Sequence, residues 1–141
     1  KIMKSYLSIF SDAAKLRAKG NAYILASLER AGLKGIVPSH GDVMVQLFTK
    51  GTCNMGDLAR SVKRSKSTVT VLVDKLEKAG YVRKECDPKD SRGILVSLTE
   101  KGLELEPIFE EITEGLNQLV TENLTEEEIK TLERLLKKCV D

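Results

Sequence analysis

The amino-acid sequence predicts a mainly α-helical fold with one small β hairpin. Apolar residues recur at helical spacing along most of the 141 residues. Between residues 81 and 98, apolar residues instead alternate with polar ones on both sides of a polar turn, which is the spacing of a hairpin. A chain of this length fits one domain with helical extensions for association.

Composition predicts a globular protein with an aliphatic core. Hydrophobic residues make up 41% of the chain and charged residues 31%, whereas aromatic residues make up 4% and tryptophan is absent. No apolar run approaches the roughly 20 residues that cross a bilayer. The first twenty residues lack the pattern of a signal peptide. We therefore expect a cytoplasmic protein without a membrane partner.

Three cysteines, Cys53, Cys86 and Cys139, stand far apart, and none forms a C-x-x-C pair. Their spacing disfavours a disulfide framework and a zinc site, and the chain has a single histidine, His40. We expect reduced thiols, no metal and no cofactor. One alternative stays open, a thiol-based redox-responsive regulator in which Cys53 or Cys86 is exposed and has a lowered pKa.

Charge is divided unevenly along the chain, although the net charge is only +2. Residues 1–59 hold eight basic and four acidic residues, and residues 60–92 hold ten and five. Residues 100–141 reverse the balance, with five basic and twelve acidic residues. A basic region attracts phosphate and an acidic region limits non-specific binding, so the basic segments are the candidates for contact with nucleic acid.

The N-terminal segment, residues 1–35, has the apolar spacing of a long helix. The pattern begins at Ile2, continues through Tyr6 and is only weakly interrupted at Gly20. A second helix begins at Pro38, since proline is tolerated in the first turn of a helix. We assign the segment to the N-terminal dimerisation helix.

A pair of helices follows. Residues 50–54 are predicted to be a loop that ends in the helix cap Asn54. A short helix then covers residues 55–62. After a turn at residues 63–65, a second helix with Ser65 as its N-cap runs to Lys78. This second helix has a buried stripe at helical spacing, formed by Val69, Leu72, Val73 and Leu76.

A hairpin follows the helix pair. Gly80 ends the second helix, and strands over residues 81–85 and 94–98 flank the polar tip D-P-K-D-S-R-G. Two helices joined by a tight turn and followed by a hairpin form a winged helix-turn-helix lobe, which we assign to residues 36–99.

Residues 100–141 are predicted to be helical. One helix begins at Thr99 and is kinked at Pro107, and Thr125 with Glu128 forms a capping box that opens a last helix. The apolar stripes of these acidic helices need a covering surface. We therefore assign residues 100–141 to C-terminal dimerisation helices.

The stretch S-T-V-T-x-L-V-D-K-L-E-K-A-G-Y-V, followed by D-P-K-D-S-R and L-T-E-K-G, resembles the MarR family of winged helix-turn-helix transcriptional regulators. The resemblance covers nearly the whole chain. It implies a homodimer, packed through residues of roughly 1–30 and 105–141, that binds a pseudo-palindromic double-stranded DNA operator. It favours a repressor that responds to a small-molecule effector.

The resemblance also implies the DNA contacts. The second helix of the pair would enter the major groove, and the wing would reach the minor groove. Asp90 and Arg92 match the family's wing D-x-R, in which the aspartate holds the guanidinium, while Ser91 replaces one of two basic residues that usually follow. The predicted DNA-binding residues are Lys63, Arg64, Lys66, Ser67, Thr68, Thr70, Lys75, Lys89, Asp90 and Arg92.

His40 is the candidate effector-binding residue, and a backbone-bonded residue at a helix start is the competing interpretation. No nucleophile motif, phosphate loop or metal signature is present, so an enzyme is not expected. A second alternative stays open, a winged-helix adaptor that binds protein without binding DNA.

Overall fold

The computed structural model describes residues 5–33 and 35–141. Its helices are α1 (Ile9–Arg30), α2 (Pro38–Lys50), α3 (Met55–Val62), α4 (Lys66–Lys78), α5 (Glu100–Leu103), α6 (Glu106–Thr121) and α7 (Glu126–Val140). Its strands are β1 (Cys53–Asn54), β2 (Val82–Asp87) and β3 (Asp90–Leu98). The mainly helical fold with a small β wing is confirmed. Within the described ranges, no helix combines the length and the apolar composition needed to span a bilayer.

One hydrophobic core joins the helices to the sheet. Fully buried side chains come from most elements and pack in a single cluster. Representative members are Leu28 of α1, Leu47 of α2, Leu58 of α3, Leu76 of α4 and Val96 of β3. Phe109 and Ile112 extend the cluster into α6, so the winged lobe and the first part of α6 share one core.

The strands form one antiparallel sheet in the order β1–β3–β2. Strands β2 and β3 are the predicted wing, but they extend further than the alternating pattern indicates. The turn between them is only Pro88–Lys89, rather than the whole polar stretch from Asp87 to Gly93. Polar residues continue the ladder here because both faces of the wing tip are open to solvent.

Strand β1 corrects the prediction of a loop over residues 50–54. Cys53 pairs with Val96, and Asn54 pairs with Leu95. Two residues are too few to show an alternating pattern, so this strand forms only because tertiary folding brings β3 beside it.

Helix α1 is shorter than its apolar spacing predicts. It begins at Ile9, so Tyr6 lies before the helix, and Ile2 lies outside the described residues. The Ser8 hydroxyl donates a hydrogen bond to the Asp12 carboxylate at 2.8 Å. Serine is disfavoured in helix interiors, which agrees with a helix that begins after Ser8.

Three helix caps predicted from the sequence are confirmed. In each, a side-chain oxygen accepts a hydrogen bond from the amide three residues further on, which satisfies one of the unpaired N–H groups of a helix start. These pairs are Asn54 with Asp57, Ser65 with Thr68, and Thr125 with Glu128.

The helix predicted from Thr99 onward is two helices and not one kinked helix. Pro107 lies in the first turn of α6. Proline is tolerated there because the N–H that it lacks would have no partner within the helix. Pro107 therefore begins α6, after a short break that follows α5.

The start of α5 holds the C-terminal end of α4. The Thr99 hydroxyl donates to the Gly80 carbonyl at 2.6 Å, and Lys101 Nζ donates to the Ala79 carbonyl at 2.7 Å. Carbonyls at a helix end lack partners and carry the negative end of the helix dipole. A hydroxyl and a cation therefore stabilise this end of α4.

Gly102 completes this contact. A Cβ at this position would overlap the Tyr81 carbonyl oxygen, so only glycine lets α5 approach so closely. The ammonium group of Lys101 also lies 4.8 Å from the centre of the Tyr81 ring. We call Thr99, Lys101 and Gly102 the α4 clamp.

Helices α1 and α6 meet closely at Gly115. Tyr23 of α1 lies against this glycine, and a Cβ there would overlap the tyrosine hydroxyl. A glycine inside a helix costs about 1 kcal/mol relative to alanine, and this close approach is what explains it. Gly20, the predicted weak interruption, lies inside α1, where an added Cβ would meet only Leu116 Cδ1 at 3.4 Å.

We predict that Gly115→Ala destabilises the protein by roughly 1–3 kcal/mol, because the new methyl group displaces Tyr23 from its place against α6. Gly20→Ala is the matched control, since it also replaces a helical glycine, and it is expected to raise stability by up to about 1 kcal/mol. Urea unfolding followed by circular dichroism measures both. Stabilisation by both substitutions would contradict the close approach of α1 and α6.

Candidate nucleic-acid interface

Helices α3 and α4 form the predicted helix-turn-helix. The turn reverses the chain through Lys63, which has the left-handed conformation at φ 56°. The stripe predicted for α4 is confirmed, and it packs into the core through Val69, Leu72, Val73 and Leu76. The opposite side of α4 therefore faces solvent.

The N-terminal half of α4 exposes a lysine and short hydroxyl side chains. Lys66, Ser67 and Thr68 are exposed, and Thr70 is half-buried. Ser65 Oγ donates to Thr68 Oγ1 at 2.8 Å, and Thr70 Oγ1 donates to the Lys66 carbonyl at 2.8 Å. Ser67 Oγ lies 3.1 Å from Ser65 Oγ. Short side chains bonded to their own helix leave its surface open to close approach.

Lys84 of β2 ties the wing to the C-terminal half of α4. Its Nζ lies 2.5 Å from Asp74 Oδ1 and 3.6 Å from Glu77 Oε1. The hydrogen bond to Asp74 is the main reason that the pKa of Lys84 is raised, so the ammonium group stays charged. This cation offsets much of the negative charge that two carboxylates would present to phosphates.

The wing carries two exposed basic side chains near its end, Lys89 in the turn and Arg92 in β3. Asp90 Oδ1 accepts a hydrogen bond from the Arg92 amide at 3.0 Å, and not from its guanidinium as the resemblance implies. An aspartate readily forms this local bond with the amide two residues on. Across the described ranges, the ion pairs do not include the Arg92 guanidinium.

A cleft of about 230 Å³ lies between the wing and the first turns of α3 and α4. Its lining includes three basic side chains from three different elements, Arg60 of α3, Lys66 of α4 and Arg92 of β3. Asp87 and Asp90 also line it. The fold thus brings together Lys66 and Arg92, which lie far apart in the sequence, on one side of the lobe.

Three of the predicted DNA-binding residues do not line this cleft. Arg64 pairs with Asp42 of α2 at 3.6 Å and lines a cavity beside α1 and α7. Lys63 lines a second cavity, beside α6. Lys75 projects from the flank of α4 toward the α1–α2 connection, where its charge acts on His40. Arg64 is half-buried, whereas Lys63 and Lys75 are exposed. Phosphate contact by these three residues stays a prediction.

Comparison with known proteins identifies the family. Residues 36–94 match the model of the MarR family. YcgE of Bacillus subtilis (strain 168), described as an uncharacterized HTH-type transcriptional regulator, is 32% identical over 126 residues, which cover 89% of this chain and 81% of that protein. The chain belongs to the MarR family. The predictions of the family, and of a transcriptional regulator rather than an enzyme, are confirmed.

Two solved MarR-family structures have the same fold. A mutant MarR from Escherichia coli, complexed with operator DNA, is 25% identical with a TM-score of 0.81, covering 96% of this chain and 95% of that chain. A regulator from Streptomyces coelicolor, in complex with DNA, is 24% identical with a TM-score of 0.84, covering 99% and 91%. The winged helix-turn-helix fold predicted for this MarR-family chain is confirmed.

Sequence reasoning missed three residues of this MarR-family surface, Arg60, Val71 and Lys84. Val71 is 68% exposed on the outward face of α4. Helical spacing could have placed it there, since it lies one turn after Ser67. Arg60 and Lys84 belong to the surface through contacts between separate elements, for which the sequence holds no local signal.

His40 is a buried residue of a helix start. Its Nδ1 accepts a hydrogen bond from the Val37 amide at 3.0 Å. Burial, and to a lesser extent the charge of Lys75, lowers the pKa of His40. The two cavities beside α2 are lined by other residues. The geometry therefore favours the competing interpretation over effector binding.

Of the two cysteines considered for a redox switch, the structure disfavours Cys53 but not Cys86. Cys53 is buried and its Sγ donates to the Gly51 carbonyl at 3.3 Å. Burial raises the pKa of the Cys53 thiol, which disfavours the reactive thiolate. Cys86 and Cys139 are free and exposed. In the part of the chain that the structure describes, no three histidine, cysteine or acidic residues are grouped as metal ligands.

We predict that His40 reduces the stability of the protein as the pH falls below its ordinary pKa of 6.5. The folded state keeps the imidazole neutral because its pKa is lowered, whereas the unfolded chain takes up a proton near the ordinary value. The contribution is fully present above that pH and declines below it. Urea unfolding at about pH 7.5 and about pH 5.5 measures the difference.

His40→Gln is the control, since it removes the titrating group and leaves the carboxylates that both proteins share. The variant is expected to lose less stability between the two pH values than the parent protein. An equal loss in both proteins would show that His40 does not carry this pH dependence.

Proposed function

We propose that this MarR-family regulator is a homodimer that binds a pseudo-palindromic DNA operator, represses transcription while bound and is released by a small-molecule effector. The proposal includes a cytoplasmic location. It divides the chain into an N-terminal dimerisation helix (1–35), a DNA-binding lobe (36–99) and C-terminal dimerisation helices (100–141). The observation that carries it is the cleft in which Lys66, at the start of α4, lies with Arg60 of α3 and Arg92 of the wing.

The dimensions of α4 support major-groove binding. Its 13 residues give a helix about 20 Å long, and the major groove, about 12 Å wide, admits an α-helix. Ser67, Thr68 and Thr70 would contact bases or phosphates, while Lys66 would contact phosphate and fix the register of the helix. Contacts with phosphate set the position of the helix, and contacts with base edges select the DNA sequence.

The wing supports contact with the adjacent minor groove. Lys89 and Arg92 are exposed, and arginine suits the strong negative potential of a narrow minor groove. Asp90 would act as a positioning residue, because its hydrogen bond to the Arg92 amide fixes the backbone at the wing tip. The operator DNA in the related Escherichia coli structure supports DNA as the partner.

Exposed apolar side chains support a homodimer. They lie on and just before α1 and near the end of α7, and include Tyr6, Leu7, Ile9, Phe10, Leu16, Leu135, Leu136 and Val140. Apolar surfaces of this extent mark interaction sites. A twofold axis through these helices would present two α4 helices to half-sites about 34 Å apart.

A cavity of about 850 Å³ supports an effector site between the dimerisation helices and the lobe. Apolar side chains of α1 and α7 line it together with Arg17, Asp42 and Arg64. Arg64 belongs to the turn that precedes α4. A ligand in this cavity would therefore act on the position of α4 through the Arg64–Asp42 pair.

We predict that Arg92→Ala weakens DNA binding by about 1–3 kcal/mol, because the wing loses its cation in the minor groove. Gel-shift titration on a duplex enriched from genomic DNA by the purified protein measures this loss. Binding by the parent protein should also fall steeply between about 50 and 200 mM salt, since phosphate contacts release counterions.

Arg83→Ala is the matched control. Arg83 lies on the same sheet, is exposed and already pairs with Glu85 at 3.1 Å. Its removal causes the same change of net charge and is expected to have much less effect on affinity. Equal affinities of Arg92→Ala and the parent protein would reject the wing contact, and a lack of any retention on DNA at low salt would favour the protein-binding adaptor.

We predict that Phe10→Asp converts the dimer into a monomer of 15.6 kDa. Phe10 is 90% exposed in the single chain, so the substitution removes no contact within it, whereas an aspartate would be buried without a partner in the dimer. Sedimentation equilibrium measures the mass. Leu103→Asp is the control, because Leu103 is also exposed but lies in α5, outside the apolar patch. A parent protein that is monomeric would overturn the dimer.

A further inference from the structure

We propose that Val71 reads the C5-methyl group of a thymine in the major groove and thereby determines part of the operator sequence. This inference rests on the proposed DNA-binding function. It assigns base selection to a residue outside the predicted set of contacts, all of which are polar or charged.

Val71 is an unusual residue for its surroundings. Between residues 51 and 102, all of which the structure describes, it is the one large hydrophobic side chain that is exposed. The other exposed large hydrophobic side chains lie outside this segment, on or beside α1, α2, α5 and α7. Val71 is therefore separate from the proposed dimer surface.

Its position on α4 is central. Ser67, Val71, Asp74 and Lys78 follow one another at helical spacing on the side opposite the buried stripe. Single apolar residues are common on protein surfaces, so exposure alone would mean little. Here the exposed valine lies in the middle of the solvent-facing side of α4, opposite the buried stripe.

The neighbouring polar groups are already occupied within the protein. Thr70 Oγ1 donates to the backbone of its own helix. Asp74 is paired with Lys84. The side-chain methyl groups of Val71 have no such partner and stand between these satisfied groups.

The chemistry of the major groove selects one ligand for such a side chain. The C5-methyl group of thymine is the apolar group that a base pair presents there, beside hydrogen-bond donors and acceptors. A valine side chain cannot form hydrogen bonds with those donors or acceptors, and it would exclude the water molecules that do. Contact with a methyl group instead removes apolar surface of both partners from water.

Removal of the thymine methyl group tests the inference directly. Duplexes are first enriched from a random pool by the purified full-length chain. Each thymine of one half-site is then replaced in turn by deoxyuridine, which lacks only the C5-methyl group. At one position the parent protein is expected to bind about three- to tenfold more weakly, which is the effect of burying about one methyl group.

The same scan with Val71→Ala gives the decisive comparison. This variant keeps a helix-forming residue but lacks the two methyl groups, so the deoxyuridine effect at that position is expected to disappear. Val45→Ala is the matched control, because it makes the same change at an exposed valine of α2, and it is expected to keep the effect.

The outcomes separate this inference from the proposed function. Failure to enrich any duplex would overturn the DNA-binding function and this inference with it. Enrichment of duplexes that show no deoxyuridine effect, or the same effect in Val71→Ala, would overturn the role of Val71 and leave DNA binding intact.

Discussion

The burial of one side of α4 is the constraint on which the rest of the lobe depends. Val69, Val73 and Leu76 have no exposed surface, and fully burying such side chains contributes about 1.5–3 kcal/mol each. Rotation of α4 about its axis would expose them, so the outward face is fixed before any partner is present. The Ser65 cap fixes one end of this helix and the α4 clamp fixes the other. A preorganised surface of this kind loses little conformational freedom on binding.

Ion pairs within the protein neutralise part of the negative charge near the exposed face of α4. Lys84 offsets the carboxylates of Asp74 and Glu77, so the acidic residues of α4 do not repel a polyanion strongly. Arg64 pairs with Asp42, and the cations that line the cleft beside the wing are Arg60, Lys66 and Arg92. The acidic residues of α6 and α7 lie in a separate, C-terminal part of the chain.

Local signals in the sequence predict the helices and their caps, because helical periodicity and cap chemistry act over a few residues. The stripe of α4 and the caps Asn54, Ser65 and Thr125 are examples. Features that depend on contacts between distant elements were missed or misplaced. Strand β1 forms because it pairs with β3. The direction of the Arg64 side chain depends on its ion pair with Asp42 of α2. In the candidate site, residue types indicate which segments carry basic and hydroxyl side chains, but the direction of each side chain depends on the fold.

The α4 clamp has a mechanical consequence. Thr99 and Lys101 are hydrogen-bonded to the end of α4, and only two residues separate α5 from α6. The long helix α6 is therefore closely coupled to the position of α4. Gly102 packs directly against the Tyr81 carbonyl, where no larger residue fits, so α5 lies in close contact with the end of α4. A tilt of α6 would therefore move α4 and the wing together, without deforming either of them.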